Sequence, residues 1–125
     1  MSEQFTRQSP GGLMGLPRSE SLDFDSNRID WQDCGVPGFW IKPLLEDESQ
    51  GIRTWLMKVD AGAYSAPHSH REIEQVYVLE GSFYDQDGSY APGQYIVRAP
   101  GVIHSAGSKD GAVVLLFYSP ASSTE

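Results

Sequence analysis

Residues 62–81 read GAYSAPHSHREIEQVYVLEG, and the architecture of the chain can be argued from them. The second half, residues 73–79, is rich in Val, Ile, Leu and Tyr, which predicts a β-strand. Side chains alternate along a strand, so Glu74, Val76 and Val78 share one face and Ile73, Gln75, Tyr77 and Leu79 the other. Both faces are largely apolar, so the strand is expected to be covered on both sides. In the first half, His68 and His70 stand two residues apart, and on an extended chain both imidazoles leave the same face. Glu74 keeps that parity. Two imidazoles and a carboxylate on one wall are ligands for zinc, iron, manganese or nickel. Glu72 shares the parity too, and spacing alone leaves it open as the carboxylate ligand. Its place in His-Arg-Glu, where the chain turns, favours an exposed turn residue. The bland reading of the bare His-x-His pair is a surface strand with two exposed rings.

On either side, similar β-rich runs occupy residues 38–45, 51–59, 94–98 and 112–118. Between them stand Asp60-Ala-Gly62, Asp87-Gly88, Ala91-Pro-Gly93 and Pro100-Gly101, residues that favour turns. No helical period of ten residues interrupts them, so the expected class is all-β, a sandwich or barrel over residues 29–125. Residues 112–118 are apolar on both faces, like residues 73–79. A small barrel has one interior, so the second face predicts a homodimer interface. The alternative cover is the N-terminal stretch. Residues 1–28 mix Gly, Pro, Ser and charge without a period and are expected to form a flexible arm, mobile or lying along the domain. Leu13, Met14 and Leu16 are its candidate anchors.

The whole chain has 125 residues, about one domain's worth, and a formal charge of −8. That balance repels phosphate backbones and anionic bilayers, which argues against nucleic acid and membrane as partners. No apolar run approaches the ~20 residues of a membrane helix. The opening MSEQFTRQSP lacks the apolar core of a secretory signal. The single cysteine, Cys34, makes no internal disulfide and no CxxC pair, and reads as a small buried hydrophobe. A cytoplasmic protein is expected.

The third histidine, His104, follows the Pro100-Gly101 turn, which can bring a new strand against the first wall. The spacing Gly62-x5-His68-x-His70-x3-Glu74-x6-Gly81 resembles the first signature of the cupin superfamily at every anchor. After eleven intervening residues, Gly93 opens GQYIVRAPGVIH, in which Gly101 and His104 fall where the second signature places its glycine and histidine. Ala99 holds the usual proline position and Ser108 the usual asparagine, and neither departure removes a ligand. The stretches GIRTWLMKVDAGAYSAPHSH and EQVYVLEGSFYDQDGSYAPGQYIVRAPGVIHSAGS narrow the resemblance to the ChrR-like cupin group.

The resemblance implies a double-stranded β-helix, or jelly-roll barrel. It also implies one divalent transition metal per chain (Fe, Zn, Mn or Ni) held by His68, His70, Glu74 and His104. Three neutral imidazoles and one carboxylate would leave a divalent ion with one net positive charge and at least one open position, as catalysis requires. Relatives of the group include dioxygenases that cleave diketones and hydroxyketones, so a small-molecule substrate and oxygenase chemistry are expected. The competing expectation is a metal-binding sensor, as in the group's namesake, whose cupin domain follows a helical anti-sigma domain with a His/Cys zinc motif. Residues 1–28 hold neither His nor Cys. A metal-free epimerase or binding cupin is disfavoured, because such proteins commonly lose the ligands kept here. Around the site, Trp55, Met57, Tyr84, Tyr90, Tyr95 and Phe117 are either mouth or core. Arg98 is expected in a surface salt bridge, with an anionic substrate as its alternative partner.

Overall fold

In the computed structural model, which describes residues 5–121, the chain forms eleven strands, most of them separated by turns that contain glycine or proline. They are β1 (Leu13–Met14), β2 (Gln32–Asp33), β3 (Phe39–Asp47), β4 (Ile52–Val59), β5 (Tyr64–His68) and β6 (Ile73–Gly81). There follow β7 (Phe83–Tyr84), β8 (Ser89–Tyr90), β9 (Tyr95–Arg98), β10 (His104–Gly107) and β11 (Ala112–Ser119). Among the described residues, helix is confined to two three-residue 3-10 turns, at Ser26–Arg28 and Glu48–Gln50. The all-β expectation holds, and the five apolar runs become β3, β4, β6, β9 and β11.

The strands form two sheets. The larger runs β1-β3-β4-β11-β6-β9, with β2 also on β3, and the smaller runs β5-β10-β7-β8. Every pairing in the larger sheet is antiparallel except β1 on β3. The core lies between the sheets. Phe39, Ile41, Met57, Val76, Val78, Val114 and Leu116 come from the larger sheet, Phe83 and Ala106 from the smaller. Each is nearly or wholly buried, which is worth about 1.5–3 kcal/mol per large side chain.

Parity along β6 separates the two faces as the alternation predicts. Glu74, Val76 and Val78 point inward, while Tyr77 and Leu79 are 41% and 40% exposed. On the same outer face lie Tyr95 and Val97 of β9 and Phe117 of β11. The described part of the N-terminal segment, residues 5–28, does not cover them, because it lies along β2 and β3. There Leu13 pairs with Leu45, and Gln8 N donates to Gln32 Oε1 at 2.6 Å. Gly12 permits the close approach, since a Cβ there would overlap the Leu44 carbonyl oxygen. Phe5 is buried in the core against Phe39. Cys34 is fully buried, and burial pushes its thiol up to about 11, so it is an inert core residue.

The signature glycines Gly62, Gly81, Gly93 and Gly101 all have positive φ, from +76° to +91°. Gly81 is the most constrained of them. A Cβ on it would overlap the Gly111 carbonyl oxygen, where the turn into β11 passes across the end of β6.

Candidate metal centre

The site is built by strand ends. His68 closes β5 and His104 opens β10, and the two are direct partners in the antiparallel ladder. His70 follows in the loop that leads to β6, whose second residue is Glu74. The imidazoles of His68, His70 and His104 converge, with ligand atoms all within 4.8 Å of one another. The three residues are 2%, 7% and 3% exposed, which removes the surface-strand reading of the His-x-His pair.

Hydrogen bonds orient the rings. His68 Nδ1 lies 3.0 Å from the Ala66 carbonyl oxygen and His104 Nδ1 lies 3.4 Å from that of Val102. A carbonyl accepts only from N–H, so each Nε2 is left with a lone pair to give. Both ring nitrogens of His70 are buried with no hydrogen-bond partner among the described residues. A buried polar atom without a partner costs roughly 1–3 kcal/mol. Three imidazole donors, one of them orphaned, fit a divalent transition ion.

Glu74 faces the rings, with Oε2 3.7 Å from His70 Nε2 and Oε1 3.4 Å from His104 Nε2. It also accepts from Arg98 Nε at 2.9 Å and from the Tyr118 hydroxyl at 2.6 Å. Burial pushes its carboxyl up, but His70, His104 and Tyr118 outweigh that and bring it down to about 2. Burial drives the His104 imidazole down to about 4, against the pull of the Glu74 charge. At neutral pH the imidazole is therefore uncharged and the carboxyl ionised, the states in which both donate electron pairs. Glu72 points elsewhere, to Arg53 at 3.3 Å.

A cavity of about 440 Å³, lined by none of the four candidate ligands, is bounded in part by Phe5, Arg7, Glu46, Arg53, Trp55 and Glu72. Phe5 meets His68 edge-on at 5.3 Å between ring centroids, and Trp55 meets Tyr118 likewise at 5.9 Å. Glu46 ties this wall together, accepting from Trp55 Nε1 at 2.7 Å and pairing with Arg7.

The wider candidates divide. Trp55 lines the cavity, and Met57 belongs to the core. The Tyr90 hydroxyl donates to Asp85, and the Tyr84 ring lies over Gly107. Tyr95 and Phe117 face outward, 53% and 39% exposed. Arg98 does form a salt bridge, but a buried one: it is 5% exposed and bound to Glu74 and Asp85. Sequence reasoning misses Tyr118 and Asp85 as partners in this cluster. Parity carries a signal for Tyr118, which shares the inward face of β11 with Val114 and Leu116. Phe5 and Asp85 carry none, because both reach the centre from outside the apolar runs.

Residues 20–122 match the family described as the ChrR Cupin-like domain. The chain belongs to the ChrR-like cupins. Among solved structures it is similar to an RmlC-like cupin from Shewanella frigidimarina NCIMB 400, at 26% identity and a TM-score of 0.70. That match covers 84% of this chain and 95% of the other. A protein assigned as an acetylacetone dioxygenase, from Methylibium petroleiphilum PM1, shares the fold at 15% identity with a TM-score of 0.73, over 84% and 81% of the two chains. So does the structure of Rhodobacter sphaeroides SigE in complex with the anti-sigma ChrR, at 20% identity and a TM-score of 0.63. There the match covers 71% of this cupin and 49% of the other chain. No curated protein matches the chain. Among the described residues of this cupin no helix is long and apolar enough to cross a membrane.

Proposed function

We propose that this cupin is a homodimeric, metal-dependent enzyme of the dioxygenase type, acting on a diketone or hydroxyketone-like small molecule. One divalent transition metal per chain is held by His68, His70, Glu74 and His104. The observation that carries the reading is the convergence of three buried imidazoles, two of them oriented by backbone carbonyls and the third without a hydrogen-bond partner among the described residues. Bound there, a redox-active ion such as Fe2+ supplies Lewis acidity and electron transfer to dioxygen. The protein supplies the rest. Its donor set leaves a divalent ion with one net positive charge, so the centre favours an anionic ligand such as an enolate. Phe5, Trp55 and Tyr118 exclude water from one side, and the neighbouring cavity has room for the substituents of a small molecule.

The test has two stages. Elemental analysis of protein purified without added metal establishes whether iron, zinc, manganese or nickel occupies the site. An oxygen electrode then follows O2 uptake with a panel of diketones and aryl hydroxyketones. Uptake is expected with Fe2+ loaded, and none with the apo protein, the zinc-loaded protein or His70→Ala. The second reading is a metal-binding sensor without turnover, supported by membership of the ChrR-like family. Bound metal with no uptake across the panel transfers the assignment to it.

A further inference from the structure

Register in the larger sheet places five side chains in one cross-strand row: Glu46 beside Arg53, Arg53 beside Tyr118, Tyr118 beside Glu74, and Glu74 beside Arg98. The row ends at Arg98 because β9 is the edge of the sheet. There the guanidinium spans the gap between the sheets. Its Nε donates to Glu74 Oε1 at 2.9 Å and its Nη1 to Asp85 Oδ2 at 2.7 Å. Asp85 follows β7 of the smaller sheet and is itself fixed. Its Oδ1 accepts from the backbone N–H of Asp87 at 2.8 Å, from that of Gly88 at 3.1 Å and from the Tyr90 hydroxyl at 3.2 Å. Arg98, Glu74 and Asp85 are 5%, 5% and 7% exposed.

We propose that Arg98 is the positioning residue of the candidate metal centre. Anchored by Asp85, it sets the plane of the Glu74 carboxylate so that its oxygens face His70 and His104. The inference rests on the metal reading above. Geometry makes arginine suited to the task. A guanidinium is a planar fork that holds two carboxylates at once, and a lysine ammonium has no fixed plane to impose. The carboxylate retains lone pairs after accepting from Arg98 and Tyr118, because two oxygens offer about four acceptor sites. Arg98 therefore orients Glu74 without occupying it.

The experiment is a Co2+ titration against a competing chelator, with the visible spectrum recorded at saturation. The wild type is compared with Arg98→Gln, Arg98→Lys, Asp85→Asn, Glu74→Ala and the double variant Arg98→Gln/Glu74→Ala. Loss of a group that orients a metal ligand typically costs about 10–100-fold in affinity. Arg98→Gln should lose that much, and its spectrum should move towards that of Glu74→Ala. Arg98→Lys and Asp85→Asn should fall between it and the wild type. In the Glu74→Ala background, Arg98→Gln should cost almost nothing further, which a merely structural role would not produce.

Wild-type affinity and spectrum in Arg98→Gln overturn the inference. Losses that multiply in the double variant overturn it as well. If Arg98→Gln does not fold, Arg98→Lys and Asp85→Asn carry the test on the same criteria, and wild-type behaviour in both overturns it. A wild type that takes up no Co2+ overturns the metal reading and this inference with it. A wild type that binds while Arg98→Gln binds equally well leaves the metal reading standing and removes this inference alone.

Discussion

The Tyr118 hydroxyl donates to Glu74 Oε2 at 2.6 Å across neighbouring strands, and both residues are buried. Burial and the Glu74 charge hold the phenol well above its usual pKa, so it remains a donor at neutral pH. Tyr118→Phe removes the donor and leaves the carboxylate oxygen short of one partner. The expected cost is about 1–3 kcal/mol of stability in metal-free protein, read from urea unfolding. An unchanged midpoint would show that the bond contributes nothing.

Metal content distinguishes ligands from bystanders. His68→Ala and His104→Ala should each lose most of the bound metal, because each deletes a donor from the converging set. Glu72→Ala should keep it, since Glu72 is engaged with Arg53. Full metal content in the His104 variant, measured by elemental analysis, would defeat the assignment.

Acid should destabilise the metal-free protein in two overlapping windows. The His104 imidazole titrates at about 4 in the folded chain against 6.5 as its ordinary value. Between those values the unfolded chain binds the extra proton, so this contribution is full above 6.5 and is lost as the pH falls to 4. Glu74, brought from 4.5 to about 2, adds a second loss through that lower range. Urea midpoints should therefore decline steadily on acidification from neutral pH. A flat profile across the His104 window contradicts the burial argument.

The outer face that carries Tyr77, Leu79, Tyr95, Val97 and Phe117 is the expected seat of a second copy of the chain. Light scattering at micromolar concentration should give twice the 13.8 kDa of the monomer. Val97→Asp should shift the equilibrium towards monomer, because a dimer would have to desolvate the new carboxylate. A wild type of monomer mass refutes the interface.

Phe5 tests the N-terminal segment. It fills core space between Phe39 and His68, so Phe5→Ala should cost about 3–5 kcal/mol, as deletion of a buried aromatic ring does. An unfolding midpoint equal to that of the wild type would mean that the segment adds nothing to the barrel.

The five apolar strands are legible in the sequence because apolar runs bounded by Gly and Pro are a local signal. The pairing of His68 with His70 is legible because parity along an extended chain is local too, whereas His104, on a distant strand, is placed with them only by the resemblance to the cupin signatures. What surrounds Glu74 is less so. Arg98 reads as a surface cation, since nothing in Tyr95–Arg98 reveals that Asp85 approaches from the other sheet. Tyr95 and Phe117 resemble mouth residues by composition, yet register turns both outward. The short strands β1 and β2 carry no period at two residues each, and they exist because β3 offers its edge to them.

The position of β11 bears on how the chain is made. It lies between β4 and β6, so residues 112–119 close a gap flanked by strands synthesised earlier. Until translation has passed residue 119, β4 and β6 each present an unpaired edge, and Glu74 lacks Tyr118. Synthesis advances at roughly 5–20 residues per second, so β11 is made seconds after β4 and β6. A chain released without residues 112–119 would keep the edges of β4 and β6 unpaired, two templates for association with other chains that the complete sheet hides.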